Sequence, residues 1–251
     1  MDPISITYRF RAPGDDPIEI ALKLQPVTLE LIDNWPTEPP AWSRLDFHQC
    51  SNCPLTVETH PYCPLAANLV NVVGQFNTLH SFDRLQVDVI IEERHVSQET
   101  TAQKSLSSLI GLISAASGCP NTAFFKPMAR FHLPLSSSEE TMYRVISMYL
   151  MAQYFRQKGG DAPDMDLDGL SKIYSDVEVV NWHIAQRLAV ATKTDSSLNA
   201  IVILDLYAKT LPLLLEGDLL AESLDEIRGL FSSFLEQSAR STKPYQPYSS
   251  R

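Results

Sequence analysis

Apolar and polar residues alternate twice near the start of the chain. Ile4, Ile6, Tyr8 and Phe10 share one face of residues 4–10, and Ile18, Ile20, Leu22 and Leu24 share one face of residues 18–24. The link between them, Ala12-Pro13-Gly14-Asp15-Asp16-Pro17, is dense in turn formers, so a β-hairpin is predicted. Leu85 to Ile91 reads as a further strand. From there the period changes. Leu106, Leu109, Ile110 and Ile113 recur at helical spacing within Thr101–Ser117, and Gly118 is a natural stop. Ser137 and Glu140 form a capping box ahead of a helix that runs to about Lys158. Further helical patterns cover Leu65–Phe76, Leu167–Ala191, Leu198–Leu215 and Leu219–Gln237, and Val27–Asp33 is expected to form a short one.

These elements predict an α+β fold: a small N-terminal antiparallel sheet, hairpin plus a further strand, packed with a mainly helical remainder. One domain is expected over 1–237, with the sheet and a cysteine-rich loop in 1–135 and the helical part in 136–237. A disordered tail is expected over 238–251. The chain has 251 residues, enough for a substantial core without disulfides. Its hydrophobic fraction of 44% fits a globular protein.

Charge narrows the partners. The net charge is −10, and no run of Lys and Arg offsets it. A nucleic-acid backbone would be repelled on average, so nucleic acid is not an expected partner. The most apolar stretch, Leu198–Leu215, contains Asp205, Lys209 and Pro212, and is shorter than the roughly 20 apolar residues that span a bilayer. A membrane location is not expected. A protein partner or a second copy stays open. Met1-Asp2-Pro3-Ile4 is no secretory signal, which points to the cytoplasm. There, clustered thiols bind metal more often than they form disulfides.

Residues 35–64 contain six prolines and three cysteines, so regular structure is excluded, yet Trp35, Trp42, Phe47 and Tyr62 favour packing. Such a loop needs a tether, and metal binding supplies folding energy. The cysteines read His48-Gln49-Cys50-Ser51-Asn52-Cys53-Pro54, then His60-Pro61-Tyr62-Cys63-Pro64, then Gly118-Cys119-Pro120. Cys50, Cys53, Cys63 and Cys119 are all the cysteines the chain has. A C-x2-C pair lets two sulfurs reach one centre from a tight turn, in zinc and iron–sulfur sites alike. Three of the four precede proline, a step common in bacterial ferredoxins, which favours an iron–sulfur cluster of the [4Fe–4S] kind. Zinc is the alternative, with His60 able to replace Cys119 as a ligand. Buried cysteines that bind nothing are the plain reading.

Other signals are weaker. Asp164-Met165-Asp166-Leu167-Asp168-Gly169 imitates the start of a calcium loop, but Ser175 stands at the twelfth position, where a bidentate Glu is required. An acidic helix start is the better account. Lys126, Arg130 and His132 invite an anionic substrate, and pairing with surplus carboxylates explains all three more simply. His183, beside Trp182, reads as a packed or surface residue. The chain lacks the common nucleotide-binding and hydrolase motifs, so no reaction or catalytic residue is assigned.

Phe47–Pro64, Ser117–Phe125 and Thr100–Leu106 together resemble an uncharacterised bacterial family known only as a domain of unknown function. The likeness covers most of the chain. It implies a bacterial, cytoplasmic setting and brings no activity, ligand or partner. The expected function is therefore a cytoplasmic metal-binding protein with an iron–sulfur cluster in a redox or sensing role. The alternatives are a zinc-stabilised protein–protein interaction module, and a dithiol–disulfide couple at Cys50 and Cys53.

Overall fold

A computed structural model describes residues 1–32, 34–92, 94–215 and 227–235. The predicted hairpin forms from β1 (Ile4–Arg11) and β2 (Ile18–Leu24), and β3 (Arg84–Ile91) pairs antiparallel with the other side of β1. The register places Ile6 opposite Leu22 and Ile91, and Tyr8 opposite Ile20 and Val89, so the apolar residues share one face. That face is buried: Ile6, Tyr8, Leu22, Leu24, Val87 and Val89 are each at most 1% exposed. Truncating one of them, as in Leu22→Ala, would cost about 2–5 kcal/mol.

A fourth strand, β4 (Arg94–Thr101), completes a sheet of order β2-β1-β3-β4. Its sequence, Arg-His-Val-Ser-Gln-Glu-Thr-Thr, lacks an apolar alternation because it is an edge strand with Thr100 as its buried residue. Charged and polar side chains on such an edge also discourage pairing with another chain.

Helices cover the buried face. α1 (Pro64–Val73) and α2 (Ala102–Ala116) pack against each other, and both contribute to the same core as the strands. α1 is buried along most of its length, since α5 (Asp168–Ala191) lies against it through Val180, Ile184 and Leu188. Between α2 and α5 the chain makes a 3-10 turn at Pro120–Phe125, the short α3 (Lys126–Arg130) and α4 (Ser138–Lys158). The Ser137–Glu140 capping box is present in both directions. α6 (Ser196–Leu215) carries Pro212 inside it.

The helix expected at Val27–Asp33 is replaced by a turn. The Gln25 side-chain oxygen takes the N–H groups of Val27 and Thr28, Leu29 adopts φ 59°, and Leu31 bridges back to Leu24. The chain divides into two units, Met1–Pro212 and Leu213–Arg251. In the second, residues 227–230 and 232–235 are helical. The helix expected at Leu219–Gln237 is broken by a turn at Phe231, and its residues 219–226 and 236–237 lie outside the described residues, as does the tail from Ser238.

Candidate metal centre

The proline-rich loop is folded by its own backbone and by one arginine. A 3-10 turn at Ala41–Ser43 leads to a bridge between Arg44 and Tyr62. The N–H of Leu45 donates to Pro61 O, and that of Cys63 to Ser43 O, at 3.0 and 2.8 Å. Arg187 of α5 donates to the carbonyls of Trp42, Arg44 and Leu45, at 2.9, 2.6 and 3.1 Å. The need for a tether is thus met in part by protein alone. His183, one turn earlier on α5, hydrogen-bonds the backbone of His48.

Cys63 and Cys119 occupy equivalent positions. Each is extended, with φ, ψ of −69°, 119° and −67°, 124°, and each is followed by proline and a helical turn. Proline forces that extended geometry on the residue before it. Neither side chain makes a full capping hydrogen bond. Even so, the N–H groups of Leu65 and Ala66 favour the Cys63 thiolate, and those of Asn121 and Thr122, with the Thr122 hydroxyl, favour that of Cys119. Gly118 holds φ +84°, which a side chain would strain, and a Cβ there would sit 4.0 Å from Pro64. The two Cys-Pro steps are therefore neighbours, although 56 residues separate them.

Cys50, Cys53 and Cys63 belong to the proline-rich loop, and Cys119 follows Gly118. Cys63 and Cys119 are buried, Cys50 and Cys53 are half-buried, and all are free thiols. Burial pushes the Cys50 thiol up to about 12, and the charges of Cys63, Cys119 and Cys53 add to that push while Arg187 opposes it. Burial likewise raises Cys63, with Arg187 opposing first, and raises Cys119, with Cys63 adding to the rise. Cys50 thus feels the other three thiols, Cys63 feels Cys53, and Cys119 feels Cys63. Among the described residues, no three His, Cys, Asp or Glu side chains form a group set to hold a metal ion.

A polar ladder fixes the two halves of the site. The Asn121 amide donates to the backbone oxygen and to Oδ1 of Asn52, between Cys50 and Cys53. The Asn52 amide in turn donates to the backbone oxygen and to Oδ1 of Asp176 on α5, at 3.1 and 3.2 Å. Asn68 of α1 bridges Pro64 O and Ser117 O. Asn52, Asn121 and Arg187 were not singled out by sequence reasoning. The signal for Arg187 is a charge beside Leu188 on the stripe formed by Val177, Val180 and Ile184. The two asparagines have no comparable signal, because their meaning lies in a pairing across 69 residues.

The other candidates resolve into structure. His60 is exposed, with Nδ1 2.9 Å from Thr59 Oγ1. Lys126 pairs with Glu30 at 2.9 Å, and Arg130 lies over the Phe131 ring. His132 is buried, its Nε2 2.6 Å from the Tyr8 hydroxyl. Asp164 accepts from Tyr149 Oη and the Gly169 N–H, which spends its carboxylate on the start of α5.

No helix among the described residues is long and apolar enough to cross a membrane. No curated protein and no solved structure matches the chain. The family described as Domain of unknown function (DUF6901) matches residues 6–232, and the chain belongs to that family.

Proposed function

We propose that Cys50, Cys53, Cys63 and Cys119 hold a [4Fe–4S] cluster and that the protein serves a redox or sensing role in a reducing, cytoplasmic compartment. The observation that carries this reading is a set of four buried or half-buried free thiols, three from the proline-rich loop and one after Gly118, with Cys50 influenced by the other three. Thiolates that repel one another are stabilised by a cationic centre between them.

The Cys-Pro steps favour a cluster over zinc, as in bacterial ferredoxins. A single zinc ion with Zn–S bonds of about 2.3 Å would draw four sulfurs to within about 3.8 Å of one another. In a cluster each thiolate binds its own iron, so the sulfurs stand further apart. The half-buried Cys50 and Cys53 leave one side of the site near solvent, where electrons or oxidants gain access. The zinc-stabilised interaction module is the second reading, supported by the polar ladder that makes the site part of the scaffold.

The test is metal and sulfide analysis of protein prepared without oxygen. About four iron and four acid-labile sulfide per chain is the expected result. One zinc per chain with no sulfide would replace the cluster with the second reading. Neither metal, after both reconstitutions, would overturn both.

A further inference from the structure

α4 buries one face and keeps a second apolar face outside. Val145, Ile146, Tyr149 and Gln153 are buried. Tyr143, Met151, Tyr154 and Phe155 are 47%, 60%, 53% and 63% exposed. With Ser147 they fall in one sector of about 120°, opposite the buried face, because the helix turns once every 3.6 residues. A helix packed on one side only is expected to be polar on the other. At about 200 Å² for such a side chain, the four expose roughly 450 Å², a patch of the size that marks an interaction site.

The two ends of this stripe carry opposite charges. Glu140 stands at the N-terminal end and Lys158 at the C-terminal end, both exposed. Lys158 lies over the Tyr154 ring, which keeps it on the stripe. One Glu140 oxygen accepts the Ser137 N–H, and a carboxylate has room for further partners. From Glu140 through Tyr143, Ser147, Met151 and Phe155 to Lys158 the intervals are three, four, four, four and three residues, the same from either end. A two-fold axis at the level of Tyr149 therefore sets Glu140 against Lys158, Tyr143 against Phe155, and Ser147 against Met151 of an antiparallel second helix. Small Ser147 makes room for Met151, aromatic rings meet in pairs, and each acid meets a base. A parallel pair would set acid against acid and base against base. Such self-complementarity is what a two-fold contact between identical chains requires, and the charges at its ends fix the register.

We propose that this face of α4 is the contact between two copies of the chain, paired antiparallel about Tyr149. Two faces bury about 900 Å² from the four large side chains, and Ser147, Glu140 and Lys158 carry the total past about 1,000 Å², enough for a specific contact of modest strength. The net charge of −10 on each copy opposes association, so the pair is reversible. The contact does not depend on what the cysteines bind.

Sedimentation equilibrium of the full chain across micromolar concentrations is the test. Wild type should show a reversible monomer–dimer equilibrium. Met151→Glu puts a charge from each copy into the middle of the pair and should weaken association at least tenfold. Lys158→Glu should weaken it as well, and adding Glu140→Lys to Lys158→Glu should restore it, since each exchanged end again meets its opposite. Circular dichroism checks that each variant keeps its helices. Should Met151→Glu fail to fold, Lys158→Glu and its double variant decide. A wild type that stays monomeric, or a dimer unmoved by Met151→Glu and Lys158→Glu, would overturn the proposal. A dimer weakened by Lys158→Glu that the double variant does not restore would overturn the antiparallel pairing.

Discussion

Asn121 reaches across to Asn52 and donates to both its backbone oxygen and its Oδ1, at 3.3 and 3.0 Å. One contact thereby joins the turn between Cys50 and Cys53 to the turn after Cys119. Partners that orient ligands without binding the metal are worth about 10–100-fold in metal affinity. Asn121→Ala is accordingly expected to weaken iron retention within that range, measured as the rate of cluster loss to a chelator. Thermal unfolding of the metal-free protein should change little by comparison, because Asn121 is half-buried and outside the apolar core.

A second prediction concerns acid. Burial lowers His132 from its ordinary value of 6.5 to about 3, with the Arg144 charge adding to the effect. Its folded-state pKa lies below the unfolded one, so the unfolded chain binds the extra proton between those values. Stability from this group is complete above about pH 6.5 and declines as pH falls towards 3, with a limiting slope of about 1.4 kcal/mol per pH unit. Urea unfolding of the metal-free protein at pH 7, 6 and 5 should follow that direction. His132→Gln should be less stable at pH 7, yet show a shallower decline between pH 6 and 5.

Gly169 supplies a third. A Cβ at that position would collide with the Tyr149 hydroxyl and crowd Asp164 Oδ2. The same hydroxyl and the Gly169 N–H both bind that carboxylate oxygen. Gly169→Ala therefore displaces a three-way junction between α4 and the start of α5, at a cost of about 1–3 kcal/mol. The check is a lower urea midpoint with an unchanged slope.

The sheet and the helices were legible because they bury one face. The alternation in Ile4–Phe10 and the helical spacing in Leu106–Ile113 each report a one-sided contact with the core. β4 was missed for the opposite reason, since an edge strand with Thr100 as its buried residue carries no apolar period. The turn at Val27 was misread as helical because a side-chain contact from Gln25 outweighs local propensity there. At the site, the Cys-Pro steps foretold the extended backbone of Cys63 and Cys119. What local sequence could not convey was the approach of α5, which brings Arg187 and Asp176 to the loop from more than 120 residues away.

In the proposed reading, four sulfurs from one chain grip a multi-iron centre. X-ray absorption at the iron edge of the anaerobically loaded protein addresses it most directly. A first shell of sulfur alone, with iron neighbours in the second shell, is the expected result. A first shell of nitrogen or oxygen, or iron atoms without iron neighbours, would contradict it.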